Sequence, residues 1–139
     1  IMQQRLIDIG AWLDVNGEAI FDTKTWKETR QWSEGKVPEL KESNFMSGYS
    51  ISNLIKPAKD RAHVEMFFTQ KGTTLYAVVP AYTPQVKIKN YMPSKKAEVS
   101  VLGCAKKVSG KQSGKDFVVD LSGLTPADLP TQLFTIRIK

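Results

Sequence analysis

The sequence predicts a mainly β chain, an antiparallel β-sandwich of about seven or eight strands preceded by one N-terminal α-helix. Three observations lead there. Met2, Leu6, Ile9 and Leu13 recur at helical spacing, and the pattern stops at Asn16-Gly17. From Thr25 onward, short runs rich in β-branched and aromatic residues alternate with turn residues. Two of those runs have period two: Val86 and Ile88 oppose Lys87 and Lys89, and Phe134, Ile136 and Ile138 oppose Thr135, Arg137 and Lys139.

The helix comes first, with Arg5, Asp8 and Asp14 for its wet side. Gly17 is expected to close it in the left-handed conformation that glycine tolerates. A lone amphipathic helix must bury its apolar stripe on another element. Trp26 to Trp32 is the first expected strand. Ser33 to Ala62 reads as irregular, with Gly35, Pro38, Gly48 and Pro57 among polar residues. So long a structureless loop is uncommon in a compact domain, so a short strand or helical turn is expected around Tyr49 to Ile55. Val64 to Thr69 and Thr74 to Val79 form a hairpin about Lys71-Gly72. Gln85 to Lys89, Glu98 to Leu102, Ala105 to Val108, Phe117 to Leu121 and Leu133 to Ile138 complete the strands. Their even spacing argues for a sandwich.

A chain of 139 residues suits one such core, and 41% hydrophobic with 24% charged residues is the composition of an ordinary folded protein. No apolar run approaches the roughly 18 residues of a membrane span, and no signal-peptide pattern opens the chain. It begins at Ile1, already inside a helical pattern, which implies preceding residues. Cys104 is the only cysteine and is expected to be a small buried hydrophobe. His63 is the only histidine, so neither a metal site nor a histidine-assisted nucleophile is expected, and no cofactor. Eight lysines and a single acid, Glu98, lie between Gln85 and Lys115, enough to account for the whole net charge of +6. They alternate with apolar residues or sit in turns, as on the wet face and edges of a sheet. With no arginine and one aromatic, Tyr91, the segment is a poor nucleic-acid surface.

Candidate chemistry is sparse. Asp116 and Asp120 share one side of a strand but have no polar neighbourhood of the kind glycoside hydrolysis needs. Gly110 to Lys115 imitates a phosphate loop, yet Asp116 stands where Ser or Thr should hold magnesium, and a strand follows instead of a helix. It is read as a turn. Aromatic residues are the remaining candidates, because sugar faces stack on them. Trp12 is expected to pack, and Tyr76 to be either core or exposed. Trp26, Trp32 and Tyr82 lie at strand ends or in loops, where binding residues concentrate, and are the candidate glycan contacts.

Arg5 to Trp26, R-L-I-D-I-G-A-W-L-D-V-N-G-E-A-I-F-D-T-K-T-W, resembles the end of the catalytic domain of family 29 glycoside hydrolases, the α-L-fucosidases. Phe68 to Val79 resembles that family's Lys-Gly hairpin, Val99 to Gly103 one of its strands, and Phe117 to Leu121, Leu129-Pro130 and Phe134 to Ile138 its ending. The pieces occur in order and leave out mainly Ser33 to Ala62. Pro80 departs from the pattern. The resemblance implies residues 1–24 as helix and connection from a barrel, and 25–139 as a C-terminal β-sandwich domain. Members of the family are retaining enzymes that remove terminal α-linked L-fucose, using an aspartate nucleophile and an acid/base carboxylate on the barrel. Neither position is matched here, so no catalytic residue is carried over.

The expected function is therefore a non-catalytic C-terminal domain that supports the catalytic barrel of an α-L-fucosidase and is not an enzyme by itself. Its partner is that barrel in the same polypeptide. The alternative is an independent carbohydrate-binding accessory module for fucosylated glycans, and a third reading is a basic domain for polyanions. No nucleic-acid or membrane partner is expected. Glycan degradation implies a periplasmic or secreted protein, or a lysosomal one in a eukaryote. The stripe Met2, Leu6, Ile9 and Leu13 is expected to be partly exposed or to mediate oligomer formation.

Overall fold

A computed structural model describes residues 1–38 and 54–139. Helix α1 (Met2–Asn16) runs into a 3₁₀ turn, Gly17–Ala19. Eight strands follow: β1 (Arg30–Trp32), β2 (Val64–Lys71), β3 (Thr74–Val79), β4 (Gln85–Ile88), β5 (Val99–Val101), β6 (Ser109–Ser113), β7 (Asp116–Asp120) and β8 (Phe134–Ile138). They form a five-stranded sheet in the order β1-β2-β3-β8-β5 and a three-stranded sheet in the order β4-β7-β6. All the pairings are antiparallel. This is the mainly β, two-sheet architecture that the strand periodicities predict.

The core lies between the sheets. Met66 and Phe68 from β2, Leu75, Ala77 and Val79 from β3, and Phe134, Ile136 and Ile138 from β8 face Val86, Ile88, Phe117 and Val119 from the smaller sheet. These positions follow the period-two alternation of each strand, so one register error would turn a whole strand's apolar set into water. Tyr82 closes one end, donating its hydroxyl hydrogen to the carbonyl of Leu124 at 2.7 Å, with the Leu121 carbonyl 3.3 Å away. Trp26 sits edge-on to Phe68 at 4.8 Å and to Tyr91 at 5.5 Å, and Tyr91 meets Phe117 at 5.9 Å. That aromatic chain links the two sheets.

Several expectations need correction. Gly17 is right-handed, with φ −58°, and its N–H bonds to Leu13 O, so the chain continues into the 3₁₀ turn instead of stopping. The left-handed residue is Asp22, φ 58°. A side chain at Gly17 would begin 3.0 Å from the Phe21 ring, which is what the glycine makes room for. The first strand is only Arg30–Trp32, because Trp26 turns its ring into the core's edge. No strand forms over Ala105 to Val108. The strand is Ser109–Ser113, which absorbs most of the phosphate-loop imitation into a hairpin closed by Gly114 at φ 60°. Here the first glycine matters sterically: a Cβ at Gly110 would lie 2.2 Å from the Phe117 ring. Polar composition hid a strand whose glycine is a seat for the core ring of its neighbour. The turn expected around Tyr49 to Ile55 lies outside the described residues, save for Leu54, which is buried, and Ile55.

The eight lysines do not act together. Lys89 faces Glu34 and Glu65, at 3.6 and 3.8 Å, and Lys106 pairs with Asp128 at 2.9 Å. Lys87 and Lys111 flank Val118 across the outer face of the smaller sheet, on the same side as Asp120. Acids are interleaved with the lysines, as on a solvated face.

Phe134 is wholly buried at the centre of the larger sheet. Phe134→Ala is expected to cost about 3–5 kcal/mol, read as a shift of the denaturant midpoint at unchanged slope.

Candidate functional site

The outer face of the larger sheet is not a wet face. Register places Thr69, Tyr76 and Arg137 in one outward row, and Phe67, Val78 and Thr135 in the next. Tyr76 is nonetheless buried, because Ala19 of the 3₁₀ turn packs there with Leu102, and Thr135 in the neighbouring row is buried as well.

The hold is polar and specific. The Trp12 indole N–H donates to Leu133 O at 2.7 Å. Asn16, fully buried, donates to Thr131 Oγ1 at 3.2 Å. Thr69 Oγ1 donates to Ala19 O at 2.6 Å. Glu18 then makes the tightest cluster: Tyr76 Oη donates to Oε2 at 2.7 Å, and Arg137 Nη1 donates to both carboxylate oxygens at 3.1 and 3.2 Å. Beyond it, Lys24 and Gln70 exchange backbone hydrogen bonds at 2.8 and 2.9 Å. The Tyr76 hydrogen bond, then the Arg137 guanidinium, hold the Glu18 carboxyl below its usual range. Burial, then the hydrogen bond to Glu18, pushes the Tyr76 phenol up to about 12. Sequence periodicity misses this cluster, since nothing in it marks Glu18, Tyr76 and Arg137 as partners.

The rest of α1 has no such cover. Met2, Leu6, Ile7 and Ile9 are 79, 64, 60 and 56% exposed, and Ile20 and Phe21 beyond the turn are exposed as well. Met2, Leu6 and Ile9 form the expected stripe, but Ile7 stands on the opposite side of the helix. The exposed apolar residues of this helix are thus not confined to a single stripe. This is an apolar projection of the kind that marks an interaction surface.

The sequence-predicted glycan contacts separate. Trp26 and Trp32 line one cleft of about 250 Å³, with Lys27, Glu28, Arg30, Gln31, Phe68, Lys89 and Asn90. Tyr82 is elsewhere, its hydroxyl used internally. Asp116 accepts the Asn90 N–H at 3.0 Å and Asp120 the Ser122 N–H at 2.9 Å, both shaping turns. Among the described residues no cluster of His, Cys, Asp and Glu can hold a metal, and no helix is long and apolar enough to cross a membrane.

Two antiparallel sheets packed face to face, with a helix fastened across the larger one, define a β-sandwich domain. Along nearly its whole length the chain is similar to the C-terminal part of α-L-fucosidases. No protein-family model matches it. It is 30% identical over 144 residues to the tissue α-L-fucosidase of Bos taurus, and 26% over 143 residues to that of Mus musculus. Each alignment takes in 99% of this chain but only 24 and 25% of the relative, so the chain spans about a quarter of their length. Two solved structures of Thermotoga maritima α-fucosidase, one in complex with fucose, share the fold. Their TM-scores are 0.58 and 0.59 at 17 and 16% identity, over 98% of this chain and 26% of theirs.

Two outcomes follow for the cluster. Tyr76→Phe, keeping the ring, is expected to lower stability by about 1 kcal/mol, because Glu18 is partly exposed and its bonds are screened. The pH dependence has a definite sign. Tyr76 is raised from 10.0 to about 12, so the folded state keeps a proton that the unfolded state loses. That stability is fully present below pH 10 and lost as pH rises toward 12. Glu18 is lowered from 4.5, so its contribution is present above that pH and lost as pH falls below it. Urea unfolding across pH checks both limbs, and Tyr76→Phe should flatten the alkaline one.

Proposed function

We propose that this chain is the C-terminal support domain of an α-L-fucosidase, joined to a catalytic barrel that removes terminal α-L-fucose with retention. The observation that carries the reading is the division of α1. Its last turn is fastened to the sandwich through Trp12, Asn16 and Glu18, while Met2, Leu6, Ile7 and Ile9 stand exposed. In this reading residues 1–24 connect the two bodies and 25–139 form the domain. The exposed half of the helix packs against the barrel, and Ile20 and Phe21 continue that surface. The Glu18 cluster transmits a fixed orientation, so the sandwich braces the barrel instead of trailing from it.

Each apolar side chain buried in this way stabilises the joined protein by about 1.5–3 kcal/mol. The test pairs two measurements. The 139-residue chain should release no fucose from an aryl fucoside; turnover above background would overturn the assignment. Leu6→Asp with Ile9→Asp should leave the fold of this chain intact by circular dichroism and abolish its concentration-dependent self-association in sedimentation. A strictly monomeric parent chain with that stripe protected from solvent would contradict the docking surface.

A further inference from the structure

We infer that the cleft between Trp32 and Arg30 is a binding site for a saccharide carrying an anionic group, a sulfate ester or a carboxylate. The inference does not depend on the fucosidase reading. It begins with how the cleft's two tryptophans differ. Trp26 is already used: Phe68 and Tyr91 pack on it, and the Lys27 ammonium sits 4.9 Å from its ring centroid. Among the described residues no aromatic ring packs on Trp32, which is half-buried at the end of β1. Trp32 is thus the available platform for the apolar face of a sugar ring.

The cations of the cleft differ in the same way. Lys27 donates to Asn90 O while covering Trp26. Lys89 donates to Trp32 O at 3.0 Å and faces Glu34 and Glu65. Arg30, two residues from Trp32 on the edge strand, pairs with Phe67 through its backbone, but its side chain has neither a hydrogen bond nor an ion pair among the described residues. Arg30 is a half-buried residue whose guanidinium has no partner among the described residues, beside an open indole, so its donors are free for a ligand. Its planar fork suits two oxygens of a sulfate or carboxylate. Glu28 is the one acid lining the cleft and sets a limit: the anion must sit on the Arg30 side. The floor is already fixed. Gln31 is buried and satisfied, donating to Lys87 O at 2.7 Å and accepting from Lys89 N at 2.9 Å, so ligand entry requires no rearrangement beneath it.

The experiment is an NMR titration of the 139-residue chain, following the Trp32 indole N–H and the Arg30 side chain. Four probes are compared: methyl α-L-fucopyranoside, its 4-sulfate, methyl glucuronoside and inorganic sulfate. Saturable shifts at both groups with the sulfated sugar, the uronoside or both are expected, and which of the two binds identifies the anion. Affinity should fall with salt, and Arg30→Gln should weaken it about tenfold or more. Trp32→Ala should weaken it while leaving the fold intact, and Arg30→Gln, at an exposed edge, serves if that variant does not fold. Equal binding of the neutral fucoside, shifts with inorganic sulfate alone, or no shift with any probe would each overturn the site.

Discussion

Glu18 accepts hydrogen bonds from Tyr76 on β3 and Arg137 on β8, two adjacent strands at the middle of the larger sheet. That arrangement constrains everything outside the core. A five-stranded sheet has two faces, and burying only the inner one would leave Tyr76, Val78 and Thr135 in water. The chain meets this by laying the end of α1 across the outer face and fastening it with groups that need one another. Neither the helix nor the outer face would persist in its present form without the other. A carboxylate serves better than an apolar residue here, because it fixes direction as well as contact.

How much of this was legible in the sequence follows from which forces are local. The hairpin β2–β3, strand β4 and strand β8 announce themselves because each alternates cleanly, and alternation is a property of one strand alone. The helix stripe was legible for the same reason. β6 was not: Ser-Gly-Lys-Gln-Ser has the composition of a loop, and its strand state comes from pairing with β7 and from the room Gly110 gives Phe117. Tyr76 was left open between core and exposed because its burial depends on Glu18 and Ala19, more than fifty residues away in sequence. The separation of Trp32 from Trp26 was equally invisible, since it rests on Phe68 and Tyr91, which come from other elements.

The chain matches about a quarter of the length of its α-L-fucosidase relatives, and its side chains show how the helix is held on the sandwich. The half-exposed helix, the Glu18 cluster and the cleft at β1 lie on different parts of the surface. A domain so built can brace a partner through one region and still offer an edge of its own.

The position of β8 carries a last implication. It follows every other element along the chain, yet it sits between β3 and β5, and Leu133 just before it receives the Trp12 indole. During synthesis, then, the hairpin and the smaller sheet can form while β5 waits unpaired and the helix has only its hairpin contacts, through Thr69 and Tyr76. The larger sheet closes only when the final strand arrives, joining elements from both ends of the chain in one step. Such long-range closure makes for slow, all-or-none folding. A nascent chain halted before Phe134 would show strand content without a finished core, a natural substrate for a chaperone or a protease.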